Sequence, residues 1–372
     1  MIPVTERQQT SRRALLRRWW VLALPLAAWL LSEFAARNPM LTEQFYSSSI
    51  YLVLAYVLGA ITSLLPFSLM ELGICTAIIV IPILLVQILR KKICIPWQKL
   101  LFWAIHAGCI LTLVFVLICG LNYHRPEFAT FSGLEVQESS TEELEALCME
   151  LAKQANFWRA KLGPMEQVTQ LPFSDRSLMV LAKQCFGELS EDYTVLPKLP
   201  ITPKPVLNSW WMSVIQITGI FSPWTYEANV NIAAPDYSIP ATACHELAHT
   251  RGFMREDEAN FIAYLACQKS KSNLFQYSGV MLALVHANNR LYDADYDAFL
   301  RVYEQMCEGV RLDFSDNNAY WAQFEGPIAE VSDAVNDTYL KVNHQNDGVQ
   351  SYGRMVDLLL ADYRQKNRLQ SV

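Results

Sequence analysis

With 372 residues, 52% of them hydrophobic and only 18% charged, the chain is too apolar for an ordinary soluble protein. A formal net charge of −6, with no basic stripe interleaved with aromatic residues, excludes nucleic acid as an expected partner. Apolar residues concentrate in the first third, which divides the chain into a membrane domain over 1–121 and a domain over 122–372 long enough to bury its own core.

The chain starts with Arg7, Arg12, Arg13, Arg17 and Arg18, then an apolar run over 19–36. No small-residue cleavage site follows, so the run reads as an uncleaved first membrane helix with its start in the cytoplasm. Residues 72–89 and 100–121 are further spans, and Arg90, Lys91, Lys92 and Lys99 lie between them. Residues 50–66 are apolar but shorter. If they crossed, the basic loop would fall outside, against the positive-inside rule. Three spans with 50–66 at the interface are therefore preferred over four, and the second domain is expected to be extracytoplasmic. His106, inside the last span, reads as a structural hydrogen-bonding group, because no acidic partner accompanies it in that span.

Ser140 followed by Glu143 spells a capping box ahead of a helix over 141–162, and 174–189 reads as another helix. Pro197, Pro200, Pro203 and Pro205 then break regular structure. Residues 207–221 are ambiguous between helix and strand, and 225–232 alternate as a strand does.

The chemistry concentrates at 244–267. His245-Glu246-Leu247-Ala248-His249 puts two imidazoles on one helix face, four residues apart, with Glu246 beside them. Gly252 suits a left-handed helix end, and a second helix follows, on which Glu256, Ala259, Asn260 and Ala263 share a stripe. Glu256 is the expected third ligand, with Glu258 as runner-up, and Asn260 is placed to hold a ligand histidine. Two imidazoles and one carboxylate favour a single Zn2+ with a fourth position left for water. Glu246 is the candidate catalytic base. Five cysteines fall after residue 122, and an antiparallel pairing of the two helices predicts a disulfide between Cys244 and Cys267. The alternative is that Cys244 is a small buried residue.

These residues resemble the gluzincin metallopeptidases, in which HExxH is followed by a helix carrying Glu-x-x-x-Asp. Asn260 stands where that aspartate would be, and the spacer from His249 to Glu256 is shorter than usual. A resemblance over nearly the whole chain is to the bacterial membrane family called domain of unknown function 3810. It is carried by Leu121-Asn122-Tyr123 with Arg125-Pro126, Glu227-Ala228-Asn229-Val230-Asn231, the CHELAH and REDEANF runs, and Ser351-Tyr352-Gly353-Arg354.

The resemblance implies a mainly α fold with a small β element: N-terminal transmembrane helices followed by a zincin-like domain. In zincins the strand before the metal helix flanks the cleft. Residues Glu227, Ala228, Asn229, Val230 and Asn231 are accordingly expected to form a substrate edge, with Tyr226 polarising a carbonyl. His286 and His344 are weaker candidates for that polarising role, and for each a packing role is the simpler reading. The leading expectation is a membrane-anchored zinc metallopeptidase of the bacterial cytoplasmic membrane, with the lipid bilayer and a peptide or protein substrate as partners. The alternative is an inactive zincin-like sensor or assembly protein whose zinc is structural.

Overall fold

The computed structural model describes residues 19–92, 96–343 and 354–370. The basic cluster from Arg7 to Arg18, Cys94, His344, the Asn346-Asp347-Gly348 turn, and Ser351, Tyr352 and Gly353 lie outside the described residues.

Helix dominates, with one three-stranded sheet among the described residues. Four apolar stretches, Trp20–Arg37, Pro39–Ser63, Leu69–Leu89 and Trp97–His124, are long and apolar enough to cross a membrane. They contain α1 (Ala23–Arg37), α2 (Tyr51–Ser63), α3 (Leu69–Leu89) and α4 (Trp97–Ile118). The stretch expected over 50–66 reaches 25 residues because a π-helical run, Thr42–Ile50, extends it backwards.

The chain separates into two compact units, one of residues up to 51 with 72–125, the other of residues 52–71 with 126–372. This is not a single cut after Leu121, because 52–71 belongs with the later residues. In the first unit the polar groups among the apolar helices are paired. Arg125 makes a bidentate bond to Glu43, at 2.9 Å from Nε and 2.8 Å from Nη2, with both side chains buried. Ser47 donates to Asn122 Oδ1 at 2.8 Å, and Ser32 Oγ lies 2.9 Å from His124 Nε2. His106 Nδ1 bonds the Phe102 carbonyl one turn back at 2.8 Å, in line with a structural role.

The second unit is built on α5 (Thr141–Arg159), α6 (Asp175–Asp192), β1 (Lys204–Val206), α7 (Trp210–Val214), β2 (Gly219–Ser222), β3 (Glu227–Asn231), α8 (Ile239–His249), α9 (Glu256–Gln268), α10 (Asn273–Ala294), α11 (Tyr296–Gln305), α12 (Glu308–Ala322), α13 (Pro327–Val342) and α14 (Met355–Gln370). Ser140 caps α5, its Oγ accepting from Glu143 N, and Leu144, Leu147, Cys148, Leu151 and Ala155 bury one face at helical spacing. Ser174 caps α6 in the same way. The ambiguous 207–221 resolves into α7 followed by β2, and Gly326-Pro327 separates α12 from α13. A buried ion pair ties α5 to α12: Arg159 Nε lies 3.0 Å from Asp313 Oδ2. Asp313 also accepts from Thr169 N, Thr169 Oγ1 and Tyr277 OH, each at 2.7 Å, so the buried charge is well satisfied.

Within the sheet, β3 is central, parallel to β1 and antiparallel to β2. Its alternating residues do not face water, because the whole strand is buried. Glu227 accepts from the amides of Leu69 and Met70, each at 3.0 Å, at the start of α3. Ser68 donates to Asn229 at 2.6 Å, and Asn231 donates to Ser213 Oγ at 2.9 Å. In return, Lys204 Nζ caps the end of α2 by donating to the carbonyls of Thr62 and Leu65, and Glu71 accepts from Leu207 N and Asn208 N. Gly59 permits the close approach of this segment: a Cβ there would meet Ile201 Cγ1 at 2.3 Å. The turn between α2 and α3 is thus bolted to β1 and β3 by charge-assisted bonds.

Candidate metal centre

α8 is a buried helix: Ala243, Cys244, Leu247 and Ala248 are fully enclosed, and Ser278 Oγ receives the Ala241 amide at 3.0 Å in its first turn. Four-residue spacing sets the His245 and His249 rings side by side, with centroids 4.6 Å apart and planes at 89°. The helix ends at His249, and two residues past its cap Gly252 takes a left-handed φ of 82°, as its place in the sequence predicts. The same turn aims the Phe253 carbonyl at His249 Nδ1, at 2.8 Å.

On α9, Ala259 and Ala263 are fully buried, and Asn260 Oδ1 meets His245 Nδ1 at 2.8 Å. Both Nδ1 atoms therefore act as donors to carbonyl oxygens, which leaves each Nε2 with its lone pair facing inward. The two Nε2 atoms lie 3.0 Å apart, and Glu256 oxygens lie 3.2 Å from one and 3.7 Å from the other.

The three side chains thus bring three potential ligand atoms to one point, an arrangement that could hold a cation. Two nitrogens on one tetrahedral zinc would stand about 3.4 Å apart at ordinary bond lengths, close to the separation seen here. The ligand atoms of His245, His249 and Glu256 all fall within 4.8 Å of one another, so this residue set fits a divalent ion. The demand for positive charge shows in the imidazoles themselves. Burial opposes a charge on His245, but the hydrogen bond and the charge of Glu256 outweigh it and raise its pKa to about 9. Burial, partly offset by Glu256 and reinforced by His245, pushes His249 down to about 4.

Glu246 is 3% exposed, and its Oε2 has no hydrogen bond among the described residues. Burial lifts its carboxyl to about 8, with His245 opposing and Glu256 adding. A carboxyl poised near neutrality is suited to taking a proton and giving it back. Beside it runs β2. A Cβ on Gly219 would come within 2.4 Å of Glu246 Oε1 and 2.8 Å of Thr242 Cγ2. Nothing in the sequence marks this role for Gly219 beyond a glycine at the start of a strand, β2, that lies one hairpin before the metal helix.

Several sequence expectations need correction. Glu258 turns away from the centre: its Oε1 accepts from Phe128 N at 2.6 Å, and its Oε2 sits 3.3 Å from Arg255 Nε. Residues Glu227, Ala228, Asn229, Val230 and Asn231 do not form a substrate edge, because β3 is paired on both sides. Tyr226 is 1% exposed and donates its hydroxyl to the Thr250 carbonyl at 2.8 Å, so it buttresses the end of α8 rather than facing a substrate. Cys244 and Cys267 are free thiols, with no disulfide between them. Cys244 instead shares hydrogen bonds with the thiols of Cys185 and Cys267, and burial holds its thiol well above the ordinary range. His286, on α10, lies near enough to feel the charge of His245, and burial pushes it down to about 4. Arg354, the described end of its motif, stands 3.6 Å from Asp257 and so ties the last helix to the start of α9.

These features define a class: a mainly helical protein with apolar N-terminal helices and a partly buried His-His-Glu group on a pair of helices. The family described as Protein of unknown function (DUF3810) matches residues 46–360, and the chain belongs to it. No curated protein and no solved structure matches.

Proposed function

We propose that the protein is a membrane-anchored, zinc-dependent metallopeptidase with a zincin-like domain that hydrolyses a peptide or related amide. The observation that carries this reading is the pairing of three convergent acceptors, His245, His249 and Glu256, with a buried carboxylate beside them whose Oε2 is uncommitted. No fourth His, Cys, Asp or Glu joins the three among the described residues, in keeping with a position left open for reaction rather than a closed structural site.

When bound, zinc supplies a Lewis acid and an acidified water. The rest of the chemistry belongs to the chain. Asn260 and the Phe253 carbonyl fix the imidazole tautomers so that both Nε2 atoms face the ion. Glu246 would take a proton from the attacking water at Oε2 and deliver it to the departing amine, so the carboxylate is regenerated. The substrate edge passes from β3 to β2, which has β3 on one side and no strand on the other among the described residues. An extended peptide adding to that free side would lie next to Gly219, and so next to Glu246.

In this proposal the metal domain lies outside the cytoplasm. Its support is one of parity: residues 64–71 bond to β1 and β3, so they share a side with the domain, and α3 and α4 form the excursion between them. The basic residues Arg90, Lys91, Lys92 and Lys99 then lie on the opposite face, where the positive-inside rule puts the cytoplasm. The test is Glu246→Gln in the detergent-solubilised full chain, assayed for bound metal and for cleavage of a peptide library. The variant is expected to keep stoichiometric zinc and lose hydrolysis by on the order of 10²-fold or more. Unchanged turnover refutes the base, and absence of cleavage by wild-type protein carrying zinc returns the centre to a structural role.

A further inference from the structure

The C-terminal end of α10 and the outer face of α11 carry Tyr292, Tyr296, Phe299 and Tyr303, spaced by four, three and four residues along one stripe. The rings touch in series: centroids are 5.3 Å apart for Tyr292 and Tyr296, 5.2 Å for Tyr292 and Phe299, and 6.2 Å for Phe299 and Tyr303. The helix does not need them as its anchor, because Ala298 and Val302 on an adjoining face are fully buried. Tyr292 and Tyr296 are each 53% exposed and Tyr303 is 39% exposed. A contiguous run of rings open to solvent is the kind of surface that proteins reserve for partners.

The charges around the ladder select the partner. Asp293, Asp297 and Glu304 border it and form no ion pair among the described residues, and Asp295 caps α11 between the first two rings. The neighbouring arginines are committed elsewhere. Arg290 pairs with Asp357 at 2.5 Å, and Arg301 makes a bidentate bond to Glu145 at 2.7 and 2.9 Å. The chain itself lays one cation on the ladder: the Arg311 guanidinium stands 5.7 Å from the Tyr303 ring. A second copy meeting this face across a two-fold axis would set the same carboxylates against each other, and an anionic lipid surface would be repelled. A cation gains both from the carboxylates and from the ring faces.

We propose that this ladder is a docking surface for an extended cationic polypeptide segment. The ten residues of α11 span about 15 Å, room for roughly five residues of a polyproline-type strand at ~3.1 Å each. Alternating arginine and proline would place charged and flat groups on successive rings.

The experiment uses the full chain in detergent and three short labelled peptides: alternating Arg-Pro, alternating Glu-Pro and Gly-Ser. The Arg-Pro peptide alone is expected to bind, with affinity falling as salt rises. Tyr296→Ala with Tyr303→Ala is expected to weaken it by about tenfold or more, and Tyr296→Phe to retain it. The triple change Asp293→Asn, Asp297→Asn, Glu304→Gln leaves the rings and the packing in place and is expected to weaken it to a similar degree. Four results overturn the proposal: no Arg-Pro binding, equal Glu-Pro binding, displacement of the peptide by phosphatidylglycerol vesicles, or a dimer that dissociates on Tyr296→Ala.

Discussion

At the residue scale, the proposed metal centre depends on hydrogen bonds that set which imidazole nitrogens face Glu256. Asn260 contributes a neutral acceptor to His245 at 2.8 Å. Asn260→Leu removes it, frees the ring to adopt the other tautomer, and is expected to lower zinc affinity by about 10- to 100-fold in a competition titration. Asn260→Asp adds a negative charge to this acceptor and is expected to tighten zinc in the same titration. Gly219 acts on the neighbouring carboxylate. Gly219→Ala drives a methyl into the space of Glu246 Oε1, so Glu246 must move. Zinc content is expected to stay at wild-type level while turnover falls by on the order of 10²-fold, the cost of displacing a reacting group by about an ångström.

At the element scale, the helix pair and the strand were legible, and the partners of the strand were not. A spacing of four on one helix and a stripe of small residues on the next are local facts, so His245, His249, Glu256 and Asn260 followed from them. Glu256 and Glu258 were separable only by which helix face meets α8, and the structure sends Glu258 to the Phe128 amide. Alternation over 225–232 gave the strand, and the substrate edge expected there came from the resemblance to zincins. The polar side of β3 is in fact covered by residues 68–70 and Ser213, partners distant in sequence that no local pattern names. Proximity of Cys244 and Cys267 followed from the helix pair, but a disulfide did not, and a third thiol, Cys185, comes from α6.

The same non-local logic holds α5 to α12. Arg159→Ala leaves Asp313 charged in a dry site with Thr169 and Tyr277 as its remaining donors. A loss of roughly 3–5 kcal/mol is expected, read as a lowered unfolding midpoint.

At the scale of the whole molecule, composition located the apolar third correctly but placed the domain boundary at one point. Residues 52–71 have the composition of a membrane segment and the partners of a folded domain. That assignment rests on Glu227, Lys204, Glu71 and Asn229, charges and amides satisfied across more than a hundred residues of chain. A fragment of residues 126–372 would leave the Glu227 carboxylate and the Lys204 ammonium buried without those partners, at a cost of several kcal/mol for each charge. It is expected to be insoluble or molten by near-UV circular dichroism, whereas co-expression with residues 52–71 on their own helices restores a folded unit.

A protease nicking the connection over 133–140 would accordingly release nothing. The severed domain would stay moored by its grip on the turn between α2 and α3, and freeing it would require two further cuts, one on each side of that turn.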